Sequence, residues 1–349
     1  MSPEARPTIA DVARKAGVSK GLVSFALNDK PGVSAQARTR ILDAAAELGW
    51  TPNLRARSLS TGRSFACGLV IGRSTDVIAA DPFFPSLIAG LEDVFSVSGQ
   101  VLVLSAATPG RHEVETYRGL AADRRVDGLI LTDLRAADER IALVGELGLH
   151  AVTLGRPDVD SPFSSVSVDD GAGIRCAVEH LAALGHDRIA HVAGPDAMLH
   201  ARRRTAAFED AARANGMSSR VVRTDFSAAQ GATATRDLLA LADAPTAIVY
   251  SNDQMAVAGI GVAERLGLRV PGDLSVSGFD DTELGRHLRP ALTSVATDAR
   301  AWGAAAARAL LGMLAGDAVA HIELAEPTLV IRESTSVSPH PPTGGLGRH

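Results

Sequence analysis

The chain has 349 residues, of which 46% are hydrophobic and 21% charged, with a formal net charge of -5. That length exceeds one hydrophobic core and predicts two or three domains, while the composition excludes a disordered chain. Two cysteines, Cys67 and Cys176, lie far apart and exclude a disulfide framework or a Cys-based zinc site. No run reaches the roughly 18 apolar residues of a membrane span, and the start, Met1-Ser2-Pro3-Glu4-Ala5-Arg6, lacks the apolar core of a secretory signal. A cytoplasmic protein is therefore expected. The charge is unevenly placed: residues 1–63 carry ten Lys or Arg and five Asp or Glu, a balance of +5, which leaves 25 basic and 35 acidic residues beyond them. A small basic module on a large acidic body points to a polyanionic partner for the first part alone.

The first 50 residues read as three short helices. Thr8 can cap the first, with Ile9, Val12, Ala13 and Ala16 at helical spacing, and Gly17 breaks the pattern. Ser19 can cap a second helix carrying Leu22, Val23, Ala26 and Leu27, followed by the turn cluster Asn28 to Gly32. Ser34 can cap a third, with Ala37, Ile41, Ala44, Ala45 and Leu48 on its buried face. A small residue, a glycine and a β-branched residue at Ala13, Gly17 and Val23 suit two helices joined by a tight turn. Spacing alone leaves open a helical hairpin that touches no DNA. Residues 54–60 are good helix formers after Pro52, in a segment too short to hold a helix alone.

From Cys67 onward, short apolar runs at 67–71, 101–105, 128–132, 151–154, 188–193, 247–250 and 274–279 alternate with helical stretches at 84–98, 111–125, 171–184, 201–215 and 253–266. This alternation predicts doubly wound α/β structure, and its length predicts two such subdomains with a cleft between them. The Pro, Gly and His-rich residues 338–349 are expected to form a disordered tail.

The segment Thr8-Ile9-Ala10-Asp11-Val12-Ala13, with Ala16-Gly17-Val18-Ser19, Val23-Ser24, Leu27-Asn28, Pro52-Asn53, Ala56 and Leu59, resembles the headpiece of the lactose/galactose repressor family. The resemblance implies a DNA-binding headpiece over 1–63 with a hinge helix at 52–60. It places Lys20, Gly21 and Phe25 among the bases of the major groove, and Thr8, Ser19, Ser24, Asn28 and Ser34 on phosphates. Asn53, Ala56 and Leu59 fall in the hinge, where Leu59 stands at the family's minor-groove wedge. Two departures matter. Leu22 replaces a frequent Thr, and Phe25 replaces a frequent Arg, whose paired hydrogen bonds to guanine a Phe cannot make.

The resemblance runs on to about residue 337 through Val126-Asp127-Gly128, Leu154-Gly155-Arg156-Pro157, Val168-Asp169-Asp170-Gly171, Ser251-Asn252-Asp253, Gly278-Phe279-Asp280-Asp281 and Arg332-Glu333-Ser334. It implies a periplasmic-binding-protein-like core over 64–337, with one subdomain at 65–165 plus 296–324 and the other at 166–295 plus 325–337. In its cleft the resemblance points to Arg204, Asn252 and Asp280 as effector contacts, with Phe226 against the ligand and Asp81, Phe84 and Arg156 facing it. Asp280 can equally cap a loop, Asn252 a helix, and Phe84 can belong to the core. Gly155 stands where a family member has a carboxylate, and Thr297 and Ala299 where it has a Gln and a Phe, so a differently shaped pocket is expected.

The function implied is a dimeric transcription regulator, expected to be a repressor, that binds a roughly palindromic operator and is controlled by a small molecule, expected to be a sugar. No metal or cofactor is expected. A solute-binding protein is the alternative, as is a regulator answering to a nucleobase. An enzyme is disfavoured, since Gly259-Ile260-Gly261-Val262 lies within a helical pattern and does not complete a nucleotide-binding fingerprint.

Overall fold

A computed structural model describes residues 7–27, 31–50 and 61–339. The chain divides into two compact units, Met1–Ser64 and Phe65–His349.

In the first unit, α1 (Ile9–Ala16), α2 (Lys20–Leu27) and α3 (Ala35–Glu47) surround a small core of Val12, Ala13, Val23, Ala26, Ile41, Ala44 and Ala45. Every helix start has a polar side chain at its expected place. The Asp11 carboxylate accepts from the Thr8 amide at 2.9 Å and from its hydroxyl at 2.7 Å. Ser19 Oγ accepts from the Leu22 amide at 3.2 Å, and Ser34 Oγ from the Ala37 amide at 3.2 Å. These bonds satisfy donors that a helix start leaves open. Gly17 closes α1 at φ +66, a conformation that a side chain would strain, and this turn sets α2 against α1.

The second unit holds two six-stranded sheets. The first has the order β11-β5-β4-β3-β1-β2, from β1 (Ala66–Ile71), β2 (Val101–Ala106), β3 (Gly128–Leu131), β4 (His150–Leu154), β5 (Ser164–Ser167) and β11 (His321–Glu323). The second has the order β12-β10-β9-β8-β6-β7, from β6 (Arg188–Ala193), β7 (Ser218–Arg223), β8 (Ala247–Tyr250), β9 (Ser275–Asp280), β10 (Thr293–Ala296) and β12 (Thr328–Val330). All pairings are parallel except that of β12 with β10. The chain therefore crosses between the sheets three times: after β5, after β10 and before β12. The 165/166 division expected from sequence falls inside β5. Helices cover both faces of each sheet, so a strand such as β6 is buried on both sides beyond its first residue. Ile189 faces one helix layer with Phe208, and Ala190 and Val192 face the other with Ile248 and Ile260.

The helix that follows the second crossing, Ala299–Ala315, lies directly on the helix Phe83–Phe95. A Cβ at Gly303 would stand 2.2 Å from the Leu87 carbonyl oxygen, and one at Gly90 would stand 1.9 Å from that of Arg300. Backbone meets backbone here, with no flexible side chain able to yield. Gly303→Ala is expected to push the helices apart and to destabilise the second unit by about 1–3 kcal/mol, as overpacking does. Thermal unfolding of this variant checks it, and an unchanged midpoint would refute the close approach.

Ser338, the first residue of the segment expected to form a tail, is bonded to the core. The Ser338 amide donates to the Leu184 carbonyl at 2.9 Å. Residues 340–349, and Asn28, Asn53, Ala56, Leu59 and the hinge at 52–60, lie outside the described residues.

Candidate functional site: a cleft between two sheets and a capped helix

On the headpiece, Lys20, Gly21 and Phe25 lie on the exposed face of α2, with Phe25 44% exposed. Ser24 is half-buried beside them, while Thr8, Ser19 and Ser34 stand exposed at the three helix starts. The starts of α2 and α3 thus present amide groups and hydroxyls to the solvent, a geometry suited to phosphate oxygens.

In the second unit, a cavity opens where the carboxyl ends of both sheets face each other, the place where open α/β sheets take ligands. Arg73 follows β1, Asp133 follows β3, Gly155 follows β4, Asp170 follows β5, Phe226 follows β7, Ser251 and Asn252 follow β8, and Asp280 ends β9. All of these strands except the edge strand β7 are anchored in a buried core, and each delivers one or two residues at its tip.

Two buried guanidinium groups organise the charge. Arg73 donates from Nε and Nη2 to the two carboxylate oxygens of Asp133, at 2.6 Å each, and its Nη1 lies 3.6 Å from Asp81 Oδ2. Across the cleft its planar face lies 4.9 Å from the Phe226 ring centre. Arg204 donates from Nε and Nη2 to Asp170 Oδ1, at 3.1 and 2.7 Å, and from Nη1 to the Ser251 carbonyl at 2.7 Å, with its face on Phe279 at 3.6 Å. Asp133 is held down at about 2: burial alone would raise it, and the paired Arg73 outweighs that. Burial raises Asp81 and lifts Asp280 well above the usual carboxylate range. His200 stacks on Phe226 with ring centres 5.5 Å apart, and burial pushes its imidazole down to about 4, so it is neutral at pH 7.

The structure brings five of the seven expected effector residues to this cavity: Asp81, Arg204, Phe226, Asn252 and Asp280. Asn252 is engaged within the protein, accepting from the Met255 amide at 3.0 Å and donating to the Phe226 carbonyl at 3.0 Å. It serves as the helix cap and holds Phe226 at φ +72. Phe226 in turn occupies the space over Gly194, where a Cβ would meet the ring at 2.0 Å.

Two expectations are corrected. Phe84 is 1% exposed and packs in the core, because the helix Phe83–Phe95 starts one residue earlier and turns Phe83 to the cavity instead. Arg156 is directed outward to pair with Glu323 at 2.9 Å, and only its backbone carbonyl is used near the rim, by Arg203 Nη2 at 2.6 Å. Sequence reasoning missed Arg73, Phe83, Asp133, Asp170, His200 and Trp302. Several carried a readable signal, a charged residue one to three positions past a strand-length run, as in Ile71-Gly72-Arg73 and Leu131-Thr132-Asp133. Among the described residues, no group of three His, Cys, Asp or Glu side chains could hold a metal ion. No helix among them is long and apolar enough to cross a membrane.

Residues 8–53 match the model of bacterial regulatory proteins of the lacI family, and residues 178–335 match that of the periplasmic binding protein-like domain. The HTH-type transcriptional regulator CelR of Thermobifida fusca is 34% identical over 96% of this chain and 100% of its own length. The chain belongs to the lacI family. Another relative, the ribose operon repressor of Halalkalibacterium halodurans, is 33% identical over 94% of this chain and 97% of its own. Among solved structures, the complex of CelR with cellobiose superposes with a TM-score of 0.73 at 32% identity, covering 94% of this chain and 100% of that one. The lac repressor dimer bound to operator and an anti-inducer superposes with a TM-score of 0.81 at 31% identity, covering 95% and 100%. In this lacI-family chain, the capped headpiece helices and the cleft at the strand ends are thus the two parts of a regulator.

Proposed function

We propose that this lacI-family protein is a cytoplasmic transcription repressor, without enzymatic activity, that binds a roughly palindromic operator as a dimer and is controlled by a saccharide in the cleft of its core. The observation that carries the reading is one chain that joins an exposed, capped recognition helix to a cleft lined by polar and aromatic side chains at converging strand ends. The similarity to a structure holding cellobiose favours a saccharide over a nucleobase. The cleft favours it too, with the aromatic side chains of Phe83 and Trp302 lining it beside the carboxyl group of Asp280. Such walls suit the C–H face of a sugar ring, and a carboxylate suits its hydroxyls. On this reading Asp81, Arg204, Phe226, Asn252 and Asp280 surround the effector. Lys20, Gly21 and Phe25 meet base edges, and Thr8, Ser19, Ser24 and Ser34 meet phosphates, with Asn28, Asn53, Ala56 and Leu59 in the remaining family positions.

The test is a gel-shift titration of the full-length protein on its own upstream DNA, with and without a panel of neutral sugars. Binding that no sugar alters would remove the effector reading, and failure to retard any upstream DNA would remove the operator reading. Within it, Lys20→Ala is expected to weaken operator binding about tenfold, equivalent to about 1.4 kcal/mol and within the range of one lost base contact. Equal losses on operator and on unrelated DNA would move Lys20 from the bases to the phosphate backbone.

A further inference from the structure

The charge arrangement of the cleft bears on which saccharides it admits, an argument that rests on the effector reading above. Its two buried cations are each paired with a buried carboxylate. The Arg73 fork is bound edge-on to Asp133, its third nitrogen lies toward Asp81, Nη2 also reaches Met198 Sδ at 3.8 Å, and its faces lie against Phe84 and Phe226, at 5.4 and 4.9 Å from their ring centres. The Arg204 fork is bound to Asp170 and the Ser251 carbonyl, with its face on Phe279. Arg203 lies at the rim, exposed, where solvent screens its charge, and donates to the Arg156 carbonyl. His200 is neutral. What remains open is an acceptor: the Asp280 carboxylate accepts no hydrogen bond from the described residues, and Asp81 stands across from it.

A phosphate or carboxylate entering this space gives up its hydration and finds both buried guanidinium groups already paired with a carboxylate, with only the solvent-screened Arg203 at the rim left to meet it. A neutral sugar brings no charge to desolvate, and its hydroxyls, which both donate and accept, can bond with the open Asp280 carboxyl group. We propose that Asp133 and Asp170, by occupying the two buried guanidinium groups, make the cleft select uncharged saccharides and reject phosphorylated and uronic-acid ones. They are specificity-determining residues that act through Arg73 and Arg204, and discrimination arises by leaving the wrong ligand without a partner.

Releasing a guanidinium should reverse the selection. Asp133 sits at φ +50, where Asn is as well accommodated as Asp, and Asp133→Asn keeps the shape while removing the carboxylate that binds the Arg73 fork, leaving only Asp81, 3.6 Å from Nη1, as a counter-charge. Calorimetric titration of the full-length protein with glucose, cellobiose, glucose 6-phosphate and glucuronate reads the effect. The wild type is expected to bind a neutral sugar at least tenfold more tightly than either anion, and Asp133→Asn to narrow that ratio tenfold or more by gaining affinity for an anion. Asp170→Asn frees Arg204 in the same way and carries the test if Asp133→Asn does not fold by circular dichroism. A wild type that takes the anions as readily as the neutral sugars overturns the inference and leaves the saccharide reading standing. So does a folded variant with no gain for either anion. If none of the four binds the wild type, the saccharide reading itself fails, and the inference falls with it.

Discussion

Arg140→Ala is expected to destabilise the second unit by about 3–5 kcal/mol, the range for removing one partner of a buried ion pair. Arg140 is 4% exposed and organises a polar cluster behind the cleft. It donates from Nε to Asp138 Oδ1 at 2.9 Å, from Nη2 to Asp138 Oδ2 at 2.6 Å, and from Nη1 to Glu113 Oε1 at 3.2 Å. Nη2 also reaches the carbonyls of Thr132 and Asp133, at 2.9 and 3.0 Å. Glu113 is shared with Arg135, which binds both its oxygens at 2.8 and 3.1 Å. Alanine would leave two buried carboxylates short of a cation and two carbonyls without a donor, and no water-sized rearrangement replaces a five-donor fork. Arg140→Lys should recover only part of the loss, because an ammonium cannot bridge both acids in the same plane. A combined replacement, Arg140→Met with Asp138→Asn and Glu113→Gln, should lose less than Arg140→Ala, since no charge is then left unpaired. Urea unfolding at pH 7 measures each. A loss below about 1 kcal/mol for Arg140→Ala would mean that the cluster is solvated and contributes little.

This cluster also explains why the cleft was only partly legible in the sequence. The Asp133 carboxylate is useful because its backbone is fixed by Arg140, seven residues on, and its partner Arg73 comes from 60 residues earlier. No local pattern joins them. Arg204, Asn252 and Asp280 were found because a family resemblance singled them out, whereas Asp170 was quoted within a motif with no role attached. The fold divides along a similar line. Strands β1, β3 and β8 are buried on both faces and read as apolar runs. Strand β5, Ser164-Ser165-Val166-Ser167, is just as buried but polar, and its register rests on hydrogen bonds to distant residues: Ser164 Oγ accepts from the Ala320 amide at 3.0 Å, and Ser165 Oγ meets His321 Nδ1 at 2.9 Å. Strand β7, Ser218 to Arg223, lies at a sheet edge with mostly exposed residues, and its apolar content is only the pair Val221 and Val222. Phe83 and Phe84 differ by one helical step of about 100°, so adjacent identical residues leave the choice between cavity and core to the helix start.

Acidification is expected to unfold the second unit through histidines buried in the neutral form, with His191 the clearest case. It is fully buried in β6, stacked on Phe208 with ring centres 5.0 Å apart. Its Nδ1 lies 2.9 Å from the Val249 carbonyl, which can only accept, so Nδ1 carries the proton and Nε2 accepts from the Ser251 hydroxyl at 3.2 Å. Burial pushes the imidazole down to about 4, aided by the nearby charge of Arg204. An unfolded histidine titrates near 6.5, so between about pH 6.5 and 4 the unfolded state binds the extra proton. Stability contributed by this residue is then present above pH 6.5 and lost as pH falls toward 4, with a slope of up to about 1.4 kcal/mol per pH unit and a total of about 3 kcal/mol. His200, pushed down to about 4 as well, adds a contribution of the same sign. Asp253 works against them: burial raises it to about 6, so the folded state binds its proton first and stability from this group is gained as pH falls from about 6 to 4. The wild-type slope is the balance of these groups, and His191→Gln isolates one of them. Its absolute stability should be lower at pH 7, and its loss of stability between pH 6.5 and 4.5 should be shallower than that of the wild type by about one proton's worth. Urea midpoints across that range provide the comparison, and parallel slopes in the two proteins would show that His191 already takes up its proton in the folded state.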